Sequence, residues 1–96
     1  MNEPFITDEA LADLDDIWFY IAHDSIAAAD DVIDEIYAAA DLLAERPEIG
    51  HVREDLADTS LRFWRVHSYI IVYRPDTKPL EIVRILSGYR DVSHIL

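Results

Sequence analysis

The sequence predicts an α+β domain: a short N-terminal strand, an antiparallel two-helix hairpin, and a three-stranded antiparallel C-terminal meander under the hairpin. Two observations carry this. Apolar residues recur at helical spacing up to Leu43, whereas after residue 60 they come in β-rich runs rich in Val, Ile, Tyr, Phe and Trp. The charge changes with the pattern: residues 1–45 hold thirteen acidic residues and no Lys or Arg, and residues 46–96 hold seven acidic residues and all eight Lys and Arg. Ninety-six residues make a single domain, 1–96, without repeats or a low-complexity linker. Such a chain buries roughly 65% of the surface it exposes when unfolded.

Each element has a local reason. Phe5-Ile6-Thr7 is a short apolar stretch that suits a brief strand. Thr7 is a good N-cap, and Asp8 and Glu9 sit in the first turn, where the helix dipole favours carboxylates. Leu11, Leu14, Ile17, Trp18 and Ile21 form the apolar stripe of the first helix, with Asp13, Asp15 and Asp16 expected to face water. Asp24 or Ser25 restarts the chain into a second helix, whose stripe is Ala29, Val32, Ile33, Ile36, Ala40 and Leu43. Arg46-Pro47 ends it, because proline cannot continue the ladder and restrains the residue before it. After a polar connector from His51 to Ser60, three strands are expected at Leu61–Val66, Tyr69–Arg74 and Leu80–Leu86. His67-Ser68 joins the first two, and the run Pro75-Asp76-Thr77-Lys78-Pro79 turns the chain between the last two.

Alternation within these strands predicts where the arginines point. Arg62, Trp64 and Val66 share one face of the first, and Leu61, Phe63 and Arg65 the other. On the last, Val83 and Ile85 are expected to meet the helices, turning Arg84 to the far side. Arg65, Arg74, Arg84 and Arg90 then gather on or around the open face of the sheet. Ordinary ion pairing with the acidic hairpin is the plainer alternative for any one of them.

Several functions are disfavoured. The net charge of −12 suits poorly a protein that grips nucleic acid non-specifically. There is no cysteine, so disulfides and thiolate chemistry do not enter, which fits a reducing cytoplasm. The N-terminus lacks the basic and apolar regions of a signal peptide, and no apolar run approaches membrane-spanning length. His23, His51, His67 and His94 show none of the short spacings of common zinc sites, and no metal or cofactor is expected. Asp13 with Asp16, and Asp30 with Asp34, share helical faces but read as solvated surface rather than acid/base pairs. Trp18, Tyr37, Trp64 and Tyr73 read as core or half-buried aromatics. No Gly-rich phosphate loop or nucleophile motif is present.

Four stretches, LADLDDIWFYIA, LLAERPEIG, LRFWRVHSYIIVYR and EIVRILSGYRD, stand in an order and spacing that resemble the ParE branch of the RelE/ParE toxins over residues 9–91. The resemblance implies the toxin of a type II toxin–antitoxin module. It implies as partner a ParD-like antitoxin with a ribbon-helix-helix DNA-binding part and a segment that wraps the toxin in a hetero-oligomer. ParE-type toxins act on DNA gyrase and block replication, whereas RelE-type toxins cleave mRNA on the ribosome. Cleavage through the 2′-hydroxyl needs a base, an acid and cations for the phosphorane. The ribonuclease branch carries an arginine after the first tyrosine of the middle strand, where this chain has Ile70, and a tyrosine or histidine a few residues beyond the last strand, the tyrosine position falling near Leu96.

The chain is therefore expected to work by binding, through Arg62, Arg65, Arg74, Arg84, Tyr89 and Arg90, with the antitoxin covering the hairpin and part of the sheet. A ribosome-dependent ribonuclease would instead use Arg65, Arg84, Tyr89 and Arg90, with Tyr89 and His94 as substitutes for the missing proton-transfer groups. A homologue that only binds antitoxin is the third reading.

Overall fold

A computed structural model describes residues 3–53 and 60–87. The chain runs β1 (Phe5–Ile6), α1 (Asp8–Ala22), α2 (Ile26–Glu45), a 3-10 turn (Pro47–Ile49), β2 (Arg62–Val66), β3 (Tyr69–Arg74) and β4 (Glu81–Ser87). The strands stand within a residue of their expected bounds, which is the usual scatter of element ends.

The capping signals are in place. Thr7 Oγ1 accepts from the Ala10 N–H at 3.1 Å, and Ser25 Oγ accepts from the Ala28 N–H at 3.1 Å. Arg46 closes α2, its N–H donating to the Leu42 carbonyl at 2.9 Å. The α1 stripe is shifted: Ala10, Leu14 and Ile17 are buried with Ile21 packed against them, while Leu11 is 42% exposed. That set follows the i, i+4, i+7, i+11 line of one helix face, which Leu11 leaves by one residue. On α2, Ala29, Ile36, Ala40, Leu43 and Ala44 are buried, with Val32 and Ile33 packed beside them. Trp18 Nε1–H donates to Asp30 Oδ1 at 2.8 Å and ties the two helices together. Tyr37, expected in the core or half-buried, is exposed.

The strands make one four-stranded sheet in the order β1-β4-β3-β2, with β1 parallel to β4 and the meander antiparallel. β3 runs between β4 and β2, and Ile70, Ile71, Val72 and Tyr73 are all buried. A continuous apolar run of this kind marks a strand covered on both faces. Ile71 and Tyr73 pack with the helices, Ile82 and Ile85. Leu61, Phe63, Ile70, Val72 and Leu86 form a second buried cluster on the other face. The far face of the sheet is therefore apolar at its centre, and not the open, arginine-lined surface that alternation predicts.

A β-bulge explains part of that difference. Tyr73 pairs with Ile82 and Val72 with Arg84, so Val83 is one residue too many on β4. The extra residue puts Ile82 and Ile85, rather than Val83 and Ile85, on the helix side, and sends Val83 to the second cluster. Strict period-two counting cannot foresee it.

Candidate functional site

The bulge lies where β1 ends and β4 becomes the edge of the sheet. Beyond Ile82 the exposed edge groups of β4 need other partners. Thr7 supplies two: its N–H donates to the Ile82 carbonyl at 3.1 Å and its hydroxyl donates to the Val83 carbonyl at 2.8 Å. Asp13 supplies the next, accepting from the Ile85 N–H at 2.9 Å.

Asp13 also accepts a fork from Arg84, whose Nε and Nη2 donate to the two carboxylate oxygens at 2.7 and 2.8 Å. The side chains are 27% exposed for Arg84 and 13% for Asp13, so the pair is largely withdrawn from water. The hydrogen bond with Asp13 holds the Arg84 guanidinium above its ordinary pKa; burial opposes this, and the Asp13 and Glu9 charges add to it. Asp13 thus does not face water as the helical pattern implied. It clamps α1 to the sheet edge, and Arg84 is the other half of the clamp.

The other predicted contact arginines among the described residues are spread over the sheet. Arg62 lies at the start of β2 with Trp64 and Val66 on the helix side, and its Nη1 donates to the Gly50 carbonyl at 2.9 Å. That segment is pinned a second time by Tyr73, whose buried hydroxyl donates to the Pro47 carbonyl at 2.7 Å and accepts from the Gly50 N–H at 2.9 Å. The phenol comes so close that a Cβ at Gly50 would lie 2.7 and 2.8 Å from Tyr73 Cε1 and Cζ, so glycine is required there. Burial raises the Tyr73 pKa above its ordinary value, partly offset by the Gly50 hydrogen bond and the Arg62 charge and reinforced by Glu48.

Arg65 sits at the opposite end of β2, exposed, with Nε donating to the His67 carbonyl at 2.8 Å. It borders a hollow of about 160 Å³ with His51, Arg53, Phe63, Trp64 and Ile70. His51 bridges to Phe63 and stacks on Trp64, with ring centroids 6.3 Å apart. Arg74 pairs across the sheet with Glu81 at 3.5 Å, the carboxylate of its register partner. The four predicted contact arginines that lie among the described residues therefore do not converge on one face: Arg62 and Arg74 lie near one end of the meander, Arg65 near the other, and Arg84 on the β4 edge. Tyr89, Arg90, His94 and Leu96 lie outside the described residues. Ile70 is 3% exposed in the second apolar cluster.

The sequence reading missed Asp13 as a structural partner, and it missed a groove between α1 and the ends of β3 and β4. Asp16, Ile17, Tyr20, Ser68, Tyr69 and Ser87 line that groove. One signal was available: Asp13, Asp16, Ile17 and Tyr20 stand at i, i+3, i+4 and i+7, a single helical face. Among the described residues no three His, Asp or Glu side chains gather as metal ligands, and no helix is long and apolar enough to cross a membrane.

Among solved structures, the chain is similar to one described as the chromosomal ParDE TA system from P. aeruginosa, at 22% identity and a TM-score of 0.74 over 93% of this chain and 98% of that one. At that identity the likeness speaks for the fold. No curated protein matches. The family model described as the ParE toxin of the type II toxin-antitoxin system, parDE, matches residues 5–92, from β1 past the end of β4. The chain belongs to the ParE toxin family of type II toxin–antitoxin systems.

Proposed function

We propose that the chain is a cytoplasmic toxin that binds DNA gyrase and blocks replication, and that a ParD-like ribbon-helix-helix antitoxin neutralises it in a hetero-oligomer. The family match over residues 5–92 carries this reading. The character of Ile70 supports binding over catalysis. At the position where the ribonuclease branch keeps an arginine, this chain has an aliphatic side chain buried among Leu61, Phe63, Val72 and Leu86. Such a group neither transfers a proton nor stabilises a phosphorane. The contact residues are Arg62, Arg65, Arg74 and Arg84 of the sheet, with Tyr89 and Arg90 after it. Arg65 is the most exposed of the described four and the best placed to meet a partner directly. Arg84 acts chiefly by holding α1 on the sheet, so its loss reports on folding as well as on binding.

Expression of the chain without its antitoxin tests the reading. The expected result is growth arrest with altered plasmid supercoiling and intact mRNA, weakened by Arg65→Ala. Rapid mRNA cleavage with unaffected supercoiling would establish the ribonuclease instead. Normal growth at adequate expression would establish a homologue that only binds antitoxin.

A further inference from the structure

The α1 face that carries Asp13 continues one turn on to Asp16, Ile17 and Tyr20. There it meets the start of β3 and the end of β4 across the groove, which has a volume of about 550 Å³. Ile17 is buried, Tyr69 is half-buried and Tyr20 is 79% exposed. Burial raises the Tyr69 pKa, and the charge of Tyr20 on the same groove adds to it. At the same end of the hairpin, Phe19 is 70% exposed on the last turn of α1 and Ile26 is 62% exposed on the first turn of α2. Single exposed apolar residues are ordinary, but three large ones together at one end of a hairpin, beside a groove, mark an interaction surface.

The charge around this surface identifies its occupant. Asp15, Asp16, Asp24, Asp30, Asp31 and Asp34 are exposed on the hairpin, which contributes no Lys or Arg. Arg84 is engaged by Asp13, and His67 pairs with Glu35. Asp16 at the groove has no ion-pair partner among the described residues. An acidic segment would be repelled here, and a basic one attracted and oriented.

We infer that this groove and its apolar rim receive a positively charged amphipathic segment of the antitoxin, with an apolar side chain between Tyr20 and Tyr69 and a Lys or Arg beside Asp16. The cation also lies over the exposed Tyr20 ring, where the quadrupole of the phenol favours it. This rests on the antitoxin partner given above and adds its chemistry: the part of the antitoxin over the helices is basic, whatever the sign of the part over the arginines.

The test uses two synthetic amphipathic peptides of identical Leu positions, one with Lys and one with Glu at every polar site, titrated into the purified chain with amide NMR. The Lys peptide is expected to shift the amides of Asp16, Tyr20, Tyr69 and Ser87 and to bind at least about tenfold more tightly than the Glu peptide. Asp16→Lys and Tyr20→Ala each weaken it roughly tenfold. Asp41→Lys, about four turns along α2 from that end of the hairpin, leaves binding unchanged. Equal affinity for the two peptides, shifts centred elsewhere, or indifference to Asp16→Lys would overturn the inference. Co-purification with the ribbon-helix-helix protein encoded beside the toxin separates the two readings. Equal capture by the native chain, Asp16→Lys and Tyr20→Ala overturns the docking site and leaves the partner standing. Capture by none of them overturns the partner, and the docking site with it.

Discussion

Asp13 and Asp16 are three residues apart on one face of one helix, yet they have opposite fates. Asp13 meets the edge of β4 just past the end of β1, where an orphan N–H and an arginine converge, and it satisfies both. Asp16 lies one turn further, where the sheet gives way to a groove, and it remains exposed. The same residue type on the same stripe is structural in one case and available to a partner in the other. What decides between them is the two-residue length of β1, which fixes where the sheet edge goes unpaired.

Substitutions sharpen that contrast. The largest effect is expected for Asp13→Ala, which leaves a largely withdrawn guanidinium and the Ile85 N–H without their acceptor. Chemical denaturation should show a loss of about 2–3 kcal/mol, and Asp13→Asn should recover part of it by keeping an acceptor for the N–H. A loss no larger than that of a typical surface substitution would show that the clamp contributes little.

Tyr73→Phe comes next. It strips the Gly50 N–H and the Pro47 carbonyl of a buried partner, at about 1–2 kcal/mol. It also changes the pH dependence. Because the folded-state pKa of Tyr73 is raised, its neutral form contributes fully below the ordinary value of 10.0, and that contribution is lost as pH rises towards the folded value. Stability should therefore fall above about pH 10 in the native chain and fall less steeply in Tyr73→Phe, with Tyr69 keeping its own share. Identical alkaline profiles would exclude Tyr73 as a source. The smallest effect belongs to Asp16→Ala, expected within about 0.5 kcal/mol of the native chain. A loss matching that of Asp13→Ala would remove the contrast between the two carboxylates.

Much of the architecture was legible. The caps at Thr7 and Ser25, the stop at Arg46-Pro47 and the three long strands follow from local signals that need no tertiary partner. The apolar run Tyr69 to Tyr73 is legible as a strand, and its lack of alternation is the mark of burial on both faces. The site was less legible, for a physical reason. The bulge at Val83 is set by how β4 meets β3 and β1, and it alone turns Ile82 rather than Val83 towards the helices. Without the bulge and the ending of β1, Asp13 looks like any carboxylate on an acidic helix, and Arg84 looks like a free contact residue. Arginines at both ends of the meander and on its edge follow from the order of the strands, which period-two counting within each strand does not contain.

A supercoiling assay with purified components decides whether the chain acts by binding gyrase, as proposed. Relaxed plasmid, gyrase and ATP are combined with increasing amounts of the chain. The expected result is a dose-dependent loss of supercoiling that pre-mixing with the antitoxin prevents and that Arg65→Ala shifts to higher toxin concentration. Undiminished supercoiling at a large molar excess of folded chain would contradict it.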